Sequence, residues 1–108
     1  MNAADTLRSV GLTRYQAMLL VCLVERDGPA TSATLAAESG VPRTSVYTVA
    51  DSLGDMGLCS QAALTGPAQW WAAEWPTTCR QLRKHLEANL AEQVQAVAEL
   101  AYTCGGFR

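Results

Sequence analysis

A chain of 108 residues, 49% hydrophobic and 17% charged, has the length and composition of one compact domain, which excludes a disordered segment or a pair of ordinary domains. Its net charge of -2 excludes indiscriminate coating of nucleic acid, which needs many Lys and Arg side chains against phosphates, and leaves local binding open. The longest apolar run, Ala17 to Val24, is far short of the roughly 20 residues that cross a bilayer. The opening MNAADTLRSVG carries an acid and no long apolar core, so no signal peptide is expected and the expected compartment is the cytoplasm. Cys22, Cys59, Cys79 and Cys104 are widely spaced without a C-x-x-C pair, and His85 is the only histidine. A zinc site or other cofactor is therefore not expected, and most of the thiols read as small hydrophobes.

Taken in chain order, a short helical segment from about Ala3 is ended by Gly11. Thr13-Arg14-Tyr15-Gln16 has the form of a capping box, in which threonine and glutamine satisfy the free N–H groups at a helix start. That helix is expected from Arg14 to about Asp27, with Ala17, Leu20, Val21 and Val24 on one buried face and Gly28-Pro29 as its stop. Thr31 or Ser32 caps a shorter helix containing Leu35, Ala36 and Ala37, and Gly40 terminates it in the left-handed conformation. Pro42 suits the first turn of the next helix, running to about Met56 with Val46, Val49, Ala50 and Leu53 along one side and Gly57 at its close. Leu58 to Leu64 and Gln69 to Trp75, separated by the turn signal Thr65-Gly66-Pro67, predict two antiparallel strands. In the second strand Trp71, Ala73 and Trp75 share a side and Trp70 points the other way. After Pro76, Thr77 or Thr78 caps a long last helix reaching about Tyr102. Its apolar stripe of Leu82, Leu86, Leu90, Val94, Val97, Ala101 and Cys104 is spaced like an 11-residue repeat, which favours a nearly straight helix. A domain whose core is already filled by three helices and a hairpin leaves little room for that stripe, so packing against a second copy is expected.

The fold class this implies is mainly α with a small β-hairpin, a winged helix-turn-helix followed by a long C-terminal dimerisation helix. Residues 1–76 form the winged unit, 77–104 the dimerisation helix and 105–108 a flexible tail. Within the helix-turn-helix, Ala36 is small enough for a close crossing, Gly40 supplies the turn, and Val46 plugs the junction. These spacings constrain a crossing and not a chemistry, since some such modules bind protein.

The stretch from Gly11 to Leu58 resembles the DNA-binding domain of the TrmB family of transcriptional regulators. The resemblance is carried by Leu12-Thr13-x-Tyr15-x-Ala17, Gly28-Pro29-Ala30-Thr31, Gly40-Val41-Pro42-Arg43-Thr44-x-Val46-Tyr47, and Ser52-Leu53 with Gly57-Leu58. Beyond it, Gly66, Trp71, Ala73 and Pro76 fall where the family has a wing glycine, an aromatic, an alanine and a proline. The resemblance implies DNA binding without an enzyme activity. Family wings usually carry Arg or Lys, whereas Thr65-Gly66-Pro67-Ala68-Gln69 has neither, and the sugar-sensing domain of larger members is not expected in a chain this short.

The residues expected to contact DNA are Arg43, Thr44, Ser45, Tyr47 and Thr48 at the N-terminal end of the recognition helix, with Arg14 against the backbone. Arg43 suits a bidentate contact to guanine, and the hydroxyls suit phosphates or thymine methyls. Asp51 and Asp55 lie toward the far end, where they would repel DNA. Arg80, Arg83 and Lys84 either flank the DNA or keep the last helix soluble. Leu82, Leu86, Leu90, Val94, Val97 and Ala101 are the dimerisation set. No nucleophile, base and orienting group occur together, so an enzyme is not expected. The expected partners are double-stranded DNA and a second copy. Two readings stand beside this one: a winged helix that has lost DNA binding and holds a protein, and a regulator sensing a small hydrophobic effector or thiol oxidation at Cys79 and Cys104.

Overall fold

The computed structural model describes residues 2–26, 28–63 and 66–100. Helix α1 (Ala3–Ser9) starts at Asn2, whose side-chain oxygen accepts from the Asp5 backbone N–H at 2.8 Å. Helix α2 (Arg14–Glu25) begins with the expected capping box: Gln16 N–H donates to Thr13 Oγ1 at 3.2 Å, and Thr13 N–H donates to Gln16 Oε1 at 2.9 Å. Strand β1 (Ala30–Thr31) leads into α3 (Ser32–Ser39), capped by Thr31 and ended by Gly40 at φ 83°. Helix α4 (Arg43–Asp55) follows, then β2 (Ser60–Ala62), β3 (Gln69–Trp71) and α5 (Trp75–Leu100).

Helix α2 is the hub, in contact with α1, α3, α4 and β3. That explains a departure from its expected buried face. Ala17 and Leu20 are buried as the spacing predicts, but Leu19 and Leu23 are too, while Val21 and Val24 are only half-buried. A helix covered from several directions buries a wider arc than one amphipathic stripe. Leu35, Val41, Val46, Ala50 and Leu53 complete the core from α3 and α4, each side chain of leucine size contributing about 1.5–3 kcal/mol by burial.

The sheet differs from a simple hairpin. It has three antiparallel strands in the order β1-β3-β2, with Trp70 opposite Ala30 on one side and Gln61 on the other. Strand β1 is two residues long and too short to announce itself by alternation. The other strands are shorter than expected, three residues each, and the end of the first at Leu64 with the turn residue Thr65 lies outside the described residues. Of Trp71, Ala73 and Trp75, expected along one side of a strand, only Trp71 is in β3: Ala73 follows the strand's end, and α5 begins at Trp75 and takes Pro76 into its first turn, where the missing N–H costs nothing. Thr77 and Thr78 are thus inside the helix instead of capping it, and Thr78, which is buried, donates its hydroxyl to Ala73 O at 3.0 Å. The helix start therefore falls two residues before the boundary expected between 76 and 77. Pro42, for its part, is the N-cap of α4 and not its first residue, and α2 stops at Glu25 before Asp27, which is not among the described residues.

Helix α5 is anchored at its start only. Leu82 is buried in the chain's own core and Leu86 packs against it, whereas Leu90, Val94 and Val97 are 61%, 61% and 67% exposed. Every residue from 91 to 100 is exposed, and Ala101, Tyr102, Cys104 and the tail lie outside the described residues. Among the described residues no helix is long and apolar enough to cross a membrane.

Candidate nucleic-acid interface

The turn between α3 and α4 is built by Gly40. Its φ of +83° is strained for any residue with a side chain, and a Cβ there would lie 3.2 Å from Met18 Cε on α2. Ser39 reinforces the turn: its hydroxyl donates to Leu35 O at 2.6 Å and accepts from Val41 N–H at 3.1 Å. Val41 and Val46 are buried on either side of Pro42, so the first turn of α4 is pinned from both ends.

With Val46, Ala50 and Leu53 buried, the opposite arc of α4 presents Arg43, Thr44, Tyr47, Thr48, Asp51 and Asp55 to solvent. The structure therefore brings four of the expected contact residues onto one exposed face. Ser45 departs from them, being half-buried with its N–H donating to Pro42 O at 2.8 Å. It sits on the flank shared with Ser52, seven residues on. Asp51 lies one turn beyond Tyr47 on the same face, so only the N-terminal half of this face is free of negative charge.

That flank is tied to α2. Gln16 Nε2 donates to Ser52 Oγ at 3.0 Å, and Ser52 Oγ donates to Val49 O at 2.6 Å. The glutamine that closes the α2 cap thus also fixes the start of α2, with exposed Arg14, against α4. Sequence reasoning identified Gln16 as a cap and missed this second bond, which no local spacing encodes.

The wing meets the same helix through an aromatic pair. Tyr47 and Trp70 have ring centroids 4.8 Å apart at an interplanar angle of 85°, an edge-on contact. Trp70 is 1% exposed and central in the sheet, while Trp71 is partly exposed, so the hairpin tryptophan that fills the core is Trp70. At the wing, Gly66, Pro67 and Gln69 are exposed and Ala68 is buried, and none carries charge.

Charge is placed sparingly. Arg26 pairs with Glu38 and Arg83 with Glu87, whereas Arg43 and Arg14 have no ion pair among the described residues. Arg80 donates to Thr77 Oγ1 at 3.3 Å and is exposed with Lys84 on α5. Of the thiols, Cys79 is exposed, and Cys104 lies outside the described residues. Cys59 donates to Ala50 O at 3.3 Å, and burial, with Asp51 nearby, pushes its thiol up to about 11. Burial also raises the Cys22 thiol, helped by Glu38.

The family profile described as the sugar-specific transcriptional regulator TrmB matches residues 7–67, more than half of the chain. The chain belongs to the TrmB family. The family is one of transcriptional regulators, not of enzymes. Among solved structures, it is similar to TrmBL2, an archaeal chromatin protein whose structure shows a novel mode of DNA binding, with a TM-score of 0.74 and 22% identity over 93% of this chain. The chain spans 39% of that protein's length. It is also similar to a possible transcriptional regulator from Methanosarcina mazei Go1 (TM-score 0.62, 14% identity, 92% of this chain and 88% of that one). The MarR-family regulator SPO1453 from Silicibacter pomeroyi gives a TM-score of 0.56 at 20% identity, over 93% of this chain and 71% of that one. A search of curated proteins returned no match. At these identities the neighbours establish the winged-helix fold, and the family is established by residues 7–67.

Proposed function

We propose that this TrmB-family chain binds double-stranded DNA sequence-specifically as a homodimer, placing the N-terminal end of α4 in the major groove of each half of a two-fold related operator. The observation that carries the reading is the exposed face of Arg43, Thr44, Tyr47 and Thr48, held by the Gly40 turn at the end of the helix where free N–H groups favour phosphate. Arg43, with no acid paired to it among the described residues, is suited to a guanine edge, and Arg14 to the backbone beside it. Asp51 and Asp55 limit the approach to an end-on one.

The dimer is supported by Leu90, Val94 and Val97, a stripe of large apolar side chains left in water along a helix that the winged unit anchors only at its start. A groove lined by Val10, Leu12, Met56, His85, Leu86 and Leu90 runs from the winged unit onto that stripe. A hydrophobic effector bound there would touch both parts.

The test is a mobility shift on genomic fragments selected by the protein, at several salt concentrations, with Arg43→Ala beside the wild type. The expected result is salt-sensitive, sequence-selective binding that Arg43→Ala weakens by about 1–3 kcal/mol with relaxed selectivity. A wild type without selective binding would leave the protein-interaction reading, which the uncharged wing favours.

A further inference from the structure

We propose that Trp70 is a positioning residue for Tyr47, and that the Tyr47 hydroxyl, held by this contact, determines part of the sequence selectivity. The inference rests on α4 being the reading helix. Tyr47 is 47% exposed on the DNA-facing arc, yet its ring meets Trp70 edge-on at a centroid distance of 4.8 Å. A tyrosine on an exposed helix face ordinarily samples several rotamers, and a fixed neighbour removes that freedom before DNA arrives. Trp70 is suited to the task because its backbone lies in the middle strand, paired with Ala30 on one edge and Gln61 on the other, and its side chain is enclosed in the core at 1% exposure.

A second observation separates this role from core filling. The Trp70 indole N–H is buried with no acceptor among the described residues. Buried tryptophans normally satisfy that group, and an orphaned donor lowers stability. A phenylalanine would fill much of the same space without the orphan. What the larger indole adds is the edge-on ring contact with Tyr47 on α4. Through this contact the uncharged wing contributes to DNA reading by bracing the recognition helix, without touching a phosphate.

The experiment compares affinity for the selected operator with affinity for unrelated DNA of the same length, for wild type, Tyr47→Phe, Trp70→Phe and the double variant, with thermal melts of each. Tyr47→Phe is expected to lower the operator-to-unrelated ratio about tenfold by removing one oriented hydrogen bond. Trp70→Phe is expected to lower it by a similar factor while its melting temperature stays within a few degrees of wild type. The double variant is expected to lose no more than either single change, because Trp70 acts only through the hydroxyl that Tyr47→Phe removes. Affinity for unrelated DNA is expected to hold throughout. Additive losses, a ratio unmoved by either change, or a Trp70→Phe loss that is equal on both DNAs would overturn the positioning role. A wild type that does not distinguish the operator would instead overturn the DNA-reading function on which it rests.

Discussion

Replacing Gln16 with glutamate removes its side chain's long-range hydrogen bond to Ser52 and keeps the local one to Thr13. A carboxylate oxygen can still accept from Thr13 N–H, 2.9 Å away, but nothing remains to donate across to Ser52 Oγ at 3.0 Å, and the Ser52 proton is already given to Val49 O. Loss of one such neutral bond costs about 1 kcal/mol. A carboxylate in the first turn of α2 offsets about 0.3–1 kcal/mol of that through the helix dipole. The net change expected for Gln16→Glu is therefore about 0–1 kcal/mol. Gln16→Ala loses the cap as well and should cost about 1–2.5 kcal/mol. The decisive quantity is the coupling between Gln16→Glu and Ser52→Ala, because a double-mutant cycle cancels the dipole gain and the lost bond from Ser52 Oγ to Val49 O. Urea unfolding followed by circular dichroism, with all four proteins at one concentration, should give a coupling of about 0.5–1.5 kcal/mol at an unchanged denaturant slope. A coupling below about 0.3 kcal/mol would show that Gln16 caps α2 without holding it to α4, and the placement of Arg14 beside α4 would lose its physical basis.

Leu53→Ala, at a fully buried position, should destabilise the fold by about 2–5 kcal/mol in the same assay. Leu90→Glu should abolish any dependence of the melting temperature on protein concentration while leaving the helical spectrum of the winged unit intact, since Leu90 is 61% exposed in the single chain. With an alkylating reagent at pH 8, Cys79, which is exposed, should be labelled in the folded protein much faster than Cys59, whose thiol stays protonated up to about pH 11. The same shift has a stability consequence: the folded state holds the Cys59 proton more tightly than the unfolded chain, so its contribution is intact below pH 9.0 and is lost as pH rises toward about 11. Cys59→Ser should flatten the stability curve in that window.

Much of the fold was legible because the signals were local. Thr13 and Gln16 form their box, Gly40 takes its left-handed turn, and Val46, Ala50 and Leu53 share a face because caps, glycine and helical period act within a few residues. What escaped depended on partners distant in sequence. Strand β1 exists only because Ala30 and Thr31 find Trp70 and Gln69 across the sheet. Leu19 and Leu23 are buried because α2 is enclosed by α1, α3 and α4, which no single stripe could announce. The exposed site residues were readable as types at a helix start. Their rigidity was not, because Gln16–Ser52 and Tyr47–Trp70 join residues separated by 36 positions in the first case and by the whole of the α4–β2 segment in the second.

The arrangement also determines how mutations should sort. Gly40, Val41, Val46 and Leu53 shape the helix crossing and have no exposed face for a partner, apart from the bare backbone of Gly40, so changes there should reduce stability and any DNA binding together. Arg43, Thr44 and Thr48 are exposed and carry no buried packing, so changes there should move binding at constant stability. Tyr47 and Trp70 belong to neither group. One is half in water and the other fully enclosed, yet the ring contact makes them a single unit, and selectivity should follow that unit wherever it is broken. On the proposed function, such a division suits a chain whose wing has no charge and whose exposed α4 face meets Asp51 after one turn: with few electrostatic contacts available, discrimination would rest on a small number of side chains held still.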